Sequence, residues 1–223
     1  MKRRQFLRNG LLFGTAGSLP GAALMARQLS GDASPLTGLV LPPLNDTDLY
    51  DLLVLALKKE HLELVKSLIE QGVDVNAKGK YGKTSLYHVL WHSANTDVLE
   101  YLIARGADVN AKDDSGRTPL YEAVSCYKCN INGAKYLVLH GADVNTRDNI
   151  GCTLLHATVH CAIFVNTDIV QYLIAQGIDI HAKDMDGRTA LDYAWESKAN
   201  NAKYELSCEN VSAAFELLRE ASR

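Results

Sequence analysis

Apolar residues recur along this chain in paired bursts with helical spacing. Leu49, Leu52, Leu53 and Ala56 form one burst, and Leu62, Leu64, Val65, Leu68 and Ile69 form the next. Steps of three and four place such residues on one face of a helix. The second burst returns around Val98, Leu99 and Leu102, around Ala134 and Leu137, and around Ile169, Val170 and Leu173. The last one, Ala213, Ala214, Leu217 and Leu218, is backed by Glu216, Arg219, Glu220 and Arg223. A terminal unit of a stack needs such a wet face. Gly72, Gly106, Gly141 and Gly177 are predicted to end the second helix of each pair, where a left-handed residue is cheapest as glycine. Thr84, Thr118, Thr153 and Thr189 are predicted to cap the first helix, with Pro119 at a first helical position. Between the pairs lie turns such as Asp113-Asp114-Ser115-Gly116. Their Asp can bond its own backbone and their Gly supplies a positive φ. Gly79-Lys80-Tyr81-Gly82 lacks that Asp and is expected to be looser.

Two phrases repeat in fixed order. Gly72-Val73-Asp74-Val75-Asn76-Ala77-Lys78 has counterparts beginning at Gly106, Gly141 and Gly177, at spacings of 34, 35 and 36 residues. Gly82-Lys83-Thr84-Ser85-Leu86 has counterparts at Gly116, Gly151 and Gly187. Self-similarity at this period means a stacked array in which each unit covers its neighbour. These phrases resemble those of the ankyrin family. The resemblance implies a mainly α solenoid of about five helix–turn–helix units with β-turn fingers, over 45–223. The units would run approximately 45–78, 79–112, 113–147, 148–183 and 184–223. Within each unit, the distance from the capping Thr to the Leu of the second helix grows from 18 to 19, 20 and 28 residues. The added residues are therefore expected between the helices, near His92–Asp97, Cys126–Gly133, Ala162–Asp168 and Lys198–Asn210.

The chain has 223 residues, 47% of them hydrophobic, and a formal net charge of −3. Its first 31 residues contain basic side chains and no acid. Lys2-Arg3-Arg4-Gln5-Phe6-Leu7-Arg8 precedes a mildly apolar, Gly- and Ala-rich run, the form of a targeting segment. It resembles a bacterial twin-arginine export signal over 1–27, with small residues at Gly21-Ala22-Ala23 or Ala26 for cleavage. An ordinary secretion signal is the alternative, and both readings place the protein in the periplasm. Cleavage after Ala23 removes four of the 23 basic residues and leaves a net charge of −7. A chain of that sign is not expected to bind nucleic acid. Residues 28–44, with Pro35, Pro42 and Pro43, read as a linker, and no segment is long and apolar enough to span a membrane.

The ankyrin resemblance implies docking through finger tips and first helices. Carried over by position, it selects Tyr81, Trp91, His92, Arg117, Ile150, Met185 and Arg188 as partner-binding residues. The implied function is a monomeric protein-binding module, an accessory factor for a periplasmic enzyme; an inhibitor or immunity protein against a lytic enzyme is the alternative. His156 is the one family-type His at its position and is expected to bond within and between units, whereas Tyr87, Tyr121 and Asp192 replace it elsewhere. Five cysteines are an odd count. In an oxidising compartment, Cys126 or Cys129 could bridge to Cys161. A metal or thiol site built from His92, His160 and the same cysteines competes with that reading. No phosphate loop, nucleophile elbow or carboxylate pair is present. The expectation is a protein without catalytic activity, cofactor or metal.

Overall fold

A computed structural model describes residues 46–92, 96–125, 130–160, 165–203 and 209–222. Ten α-helices stand in this stretch as five successive pairs. Unit 1 is α1 (Asp46–Lys58) with α2 (Leu62–Glu70), and unit 2 is α3 (Ser85–His92) with α4 (Thr96–Ala104). Unit 3 is α5 (Pro119–Val124) with α6 (Ile131–Leu139), and unit 4 is α7 (Leu154–Val159) with α8 (Thr167–Ala175). Unit 5 is α9 (Ala190–Lys203) with α10 (Glu209–Ala221). Each pair packs on itself, and α1, α3, α5, α7 and α9 pack in sequence as an inner row. The predicted helical repeat solenoid is the observed fold.

One leucine in each of the first eight helices marks the buried seam. Leu53, Leu68, Leu86, Leu102, Leu120, Leu137, Leu154 and Leu173 are all fully buried. Burying such a side chain stabilises by about 1.5–3 kcal/mol, so the continuous seam is the main source of cohesion. The four phrase-opening glycines have φ between +78° and +95°, as the helix-ending role requires.

Bonds between neighbouring phrases hold the units in register. The Asn76 side chain donates to the Gly106 carbonyl (2.9 Å) and accepts from the Asp108 amide (2.8 Å). Asn110 repeats both bonds with Gly141 (3.0 Å) and Asp143 (2.9 Å), and Asn145 accepts from Asp179 (2.9 Å). A second rung comes from the basic residue two places on. Lys78 donates to the carbonyl of Lys112, Lys112 to that of Arg147, and Arg147 to that of Lys183. His181 occupies the Asn position of the last phrase, where unit 5 has no further phrase to receive a bond.

The predicted threonine caps form at three of the four helix starts. Thr118 caps α5, accepting from Tyr121 N–H at 3.4 Å. Thr153 forms a capping box, its side chain accepting from the His156 backbone while its own N–H donates to His156 Nδ1 (3.1 Å). Asp192 closes the start of α9 by accepting from the amide and hydroxyl of Thr189 (2.7 Å each), and its own N–H donates back to the hydroxyl. The Thr84 hydroxyl is buried and makes no cap bond.

The lengthened segments also resolve in two ways. Those of units 3 and 4 end in unforeseen caps: Asn130 accepts from Gly133, and Asn166 from Asp168 and Ile169. In unit 5 the extra residues instead prolong the inner helix to Lys203, so that α9 has 14 residues where α7 has 6. The export segment and linker lie outside the described residues, as do Cys126, Cys129, Cys161 and Cys208, so the predicted bridge does too. No helix among the described residues is long and apolar enough to cross a membrane.

Removing a rung should destabilise only where a following phrase exists. Asn110→Ala loses two bonds made at the surface and is expected to lower unfolding stability by about 1 kcal/mol. His181→Ala should stay within about 0.5 kcal/mol of wild type. Urea unfolding followed by circular dichroism compares the two; equal losses would show that the rungs do not hold the array.

Candidate docking surface

The finger tips stand on a backbone ladder of their own. The Asp114 amide donates to the Tyr81 carbonyl (3.0 Å), Asn149 to Ser115 (2.9 Å) and Met185 to Ile150 (3.0 Å). Within each finger, the leading Asp folds the turn onto itself. Asp113 accepts from the amides of Ser115 and Arg117, Asp148 from Ile150 and Cys152, and Asp184 from Asp186 and Arg188. The first finger closes without an Asp. It forms a short 3-10 turn, Lys80–Gly82, with Tyr81 itself at φ +63°. The Tyr50 ring packs where a Gly79 side chain would stand, and its hydroxyl donates to the Lys83 carbonyl.

Three sequence-selected apolar residues project from these tips. Tyr81, Ile150 and Met185 are 63%, 57% and 76% exposed. Trp91, near the end of α3, is 38% exposed, with the Lys83 ammonium 6.0 Å from its ring centre. His92 is the last residue of α3, and its side chain lies outside the described set.

The two arginines are engaged inside the array. Arg117 lies over the Tyr121 ring at 5.0 Å, with Nε 3.7 Å from the buried Asp148 carboxylate. Arg188 donates to Asp184 (3.2 Å), Asp186 (2.9 Å) and the Tyr193 hydroxyl (2.8 Å), and lies 3.9 Å from Glu196. Tyr193 in turn donates to Asp184 at 2.8 Å. Burial pushes the Asp184 carboxyl up, but the Arg188 amide, the Tyr193 hydroxyl and the guanidinium prevail and hold it below the usual carboxylate value. Both arginines therefore clamp fingers to helices while part of each remains exposed.

Trp195 on α9 is 62% exposed and was not anticipated as a surface residue. It stands six residues after Thr189, in register with Leu90, Val124 and Val159, which are at most 2% exposed. Those three bury themselves because another unit follows; Leu90 reaches Gly133 of the next outer helix. No unit follows the fifth among the described residues. The only sequence signal was an apolar residue in the last unit at a position reserved for inter-unit contact.

A third position turns out to bridge units. The Tyr87 hydroxyl donates to the Arg117 carbonyl, has the Ala111 carbonyl 3.1 Å away and accepts from the Asp113 amide. The Tyr121 hydroxyl donates to Asp148 (3.3 Å). His156 bonds the Arg188 carbonyl through Nε2 at 3.0 Å. The tyrosines thus replace the imidazole bond between units, whereas Asp192 in the last unit makes only its local cap. Burial pushes both tyrosine hydroxyls up.

Cys152 is a free, buried thiol 3.7 Å from the Tyr193 hydroxyl, and burial pushes its pKa up, away from the thiolate that redox chemistry needs. Among the described residues, no three His, Cys, Asp or Glu side chains converge to hold a metal ion.

The family model for ankyrin repeats, three copies, matches residues 28–113, 52–148 and 126–212. No curated protein matches the chain.

Finger glycines should be unequally replaceable. At Gly116 (φ +76°) an added Cβ would stand 2.9 Å from the Asn149 backbone nitrogen, whereas at Gly187 (φ +79°) it would meet nothing within 4 Å. Gly187→Ala is expected to cost about 1–2 kcal/mol for the left-handed conformation alone. Gly116→Ala should cost about 1–3 kcal/mol more through the finger-to-finger clash. Thermal melts of the two variants measure the difference, and identical melts would mean that the fingers are not held against each other.

Proposed function

This chain belongs to the ankyrin-repeat family, a family of protein-interaction modules, and from that premise we propose that it docks a partner protein on its finger tips and inner helices. The observation that carries this reading is the row of exposed apolar residues on hydrogen-bonded fingers. Tyr81, Ile150 and Met185 project from turns whose backbones bond their neighbours. Large side chains already held in place lose little freedom on binding, and aromatic anchors dominate the energy of most interfaces. Trp91 and Trp195 add two more exposed aromatic surfaces.

The proposal extends to location and role. The basic, acid-free start followed by a Gly- and Ala-rich run supports export to the periplasm through an N-terminal signal. The net charge of −7 after cleavage supports a partner with a basic face. The role proposed is that of an accessory factor that binds and supports a periplasmic enzyme. Inhibition of a lytic enzyme predicts instead that the captured partner loses activity when bound.

The Tyr81→Ala, Trp91→Ala double variant tests the surface. Both residues are exposed, so the thermal melting point should change little. Affinity for a partner captured from a periplasmic extract should fall about thirtyfold to nearly a thousandfold, at roughly 1–2 kcal/mol for each anchor. Titration calorimetry measures the loss, and unchanged affinity moves the docking site elsewhere. Fractionation of cells expressing the full chain tests location independently.

A further inference from the structure

We propose that the junction between units 4 and 5 is an acid-sensitive latch: protonation of His156 releases α9 and α10 from an array whose first four units stay stacked.

The first observation is that the latch position differs between junctions. Tyr50, Tyr87 and Tyr121 make the equivalent bonds earlier in the array, to Lys83, to Asp113 and Arg117, and to Asp148. A phenol does not change charge between neutral and mildly acid pH. An imidazole does. Among the described bridging bonds, the one at the last junction, His156 Nε2 to the Arg188 carbonyl, is the one that depends on a side chain that titrates there.

The geometry favours the neutral ring. Nε2–H donates to Arg188, while Nδ1 faces the Thr153 amide (3.1 Å) and hydroxyl (2.9 Å). A proton on Nδ1 can be taken by the hydroxyl, but it leaves the Thr153 N–H pointing at another N–H. The ring is buried at 1% exposure and lies edge to face with Tyr193 at 5.2 Å, and His160 lies 5.8 Å from the same tyrosine ring. The charged groups around it come from the fingers: Asp148 and Asp184, each paired with an arginine, and Arg147 and Arg188. The Cys152 thiol points to Tyr193, and Tyr121 of α5 directs its hydroxyl to Asp148. Burial outweighs the Arg188 carbonyl and the two carboxylates, and holds the ring below the ordinary imidazole value of 6.5.

The second observation is that this junction lacks the other ties. The Asn and Lys/Arg rungs join units 1 to 2, 2 to 3 and 3 to 4, and stop at His181 and Lys183. Among the described residues unit 5 is attached by the Met185–Ile150 finger bond, the Lys183–Thr189 backbone bridge, a bond from Ser197 to the Val159 carbonyl (3.2 Å), the contacts of Tyr193 with Cys152 and His160, the His156 bond and apolar packing. Loss of one bridge therefore weighs more here than at any earlier junction.

The sign follows from linkage. His156 is held below its unfolded value, so its contribution is complete above pH 6.5 and is lost as pH falls through the folded-state value. Asp184 and Asp192 are held below the usual carboxylate value of 3.8 and stay ionised through that window. Where the docking surface is the one proposed above, acid would detach Met185, Arg188 and Trp195 from the rest of it; the latch itself needs no partner to be measured.

Hydrogen exchange of the full chain, read by mass spectrometry and corrected for intrinsic rates, tests it between pH 7.5 and 5.0. Peptides from α9 and α10 should lose protection by up to about tenfold per pH unit as pH falls from 6.5 toward the folded-state value and level off below it, with peptides from α3 to α6 unchanged. The His156→Gln variant, which keeps a capping side chain without the charge, should abolish the pH dependence; His160→Gln should retain it. Uniform loss across all units, no loss, or loss that persists in His156→Gln overturns the latch. Should His156→Gln fail to fold, the His156 ring titration in the wild-type protein decides by NMR. A ring that titrates without simultaneous loss of protection in α9 and α10 rejects the proposal.

Discussion

One asparagine side chain, with an acceptor and a donor pointing at the next unit, is what the rest of the structure depends on. A repeat of two short helices and a turn leaves backbone groups at the end of each outer helix without partners. An unpaired polar group at a packed surface costs about as much as a lost hydrogen bond. Asn76 and Asn110 resolve this by accepting from an amide and donating to a carbonyl two residues apart in the following phrase. Both bonds form only when the units sit at one translation. The buried leucines supply cohesion without direction, and the asparagines convert it into register. The basic residue two places on and the finger amides repeat that constraint further along each phrase.

The last described unit differs chemically from those before it. The last phrase has His181 in place of Asn, and Asp192 stands where Tyr87, Tyr121 and His156 reach forward. Each of these exchanges removes a group that would have lacked a partner. Trp195 does not follow that rule. It occupies the position of Leu90, Val124 and Val159 but has no unit to bury it. The C-terminal face is thus polar at its bridging positions and apolar at its packing position, and fewer polar ties attach the unit that carries it.

Much of this was legible in the residues. The period, the helix-ending glycines, the finger turns and the exposure of Tyr81, Ile150 and Met185 follow from local rules: 3.6-residue periodicity, a positive φ, and a turn tip with no room to bury a side chain. The roles of Arg117 and Arg188 were less legible. A basic residue after a finger glycine reads as a free anchor until Asp148, Asp184 and Tyr193 are seen beside it. The lengthening of unit 5 was visible as a count, but whether it made loop or helix was not. Nothing in the local pattern before Lys203 forbids another turn of helix, and packing against α10 and α7 favours it.

The sequence by itself determined that this protein is a stack, how many units it has, where each turns, and which residues stand at the tips. Those properties depend on one residue's conformational preference or on spacing within one unit, and both are written locally. Only the tertiary structure decided what joins one unit to the next. It showed that Tyr87 and His156 do the same job with different acid chemistry, that the Asn and Lys rungs stop before unit 5, and that Trp195 lies open. Each of these depends on what stands about 35 residues further along the chain, a separation that no local preference can sense and that only folding brings within hydrogen-bond reach.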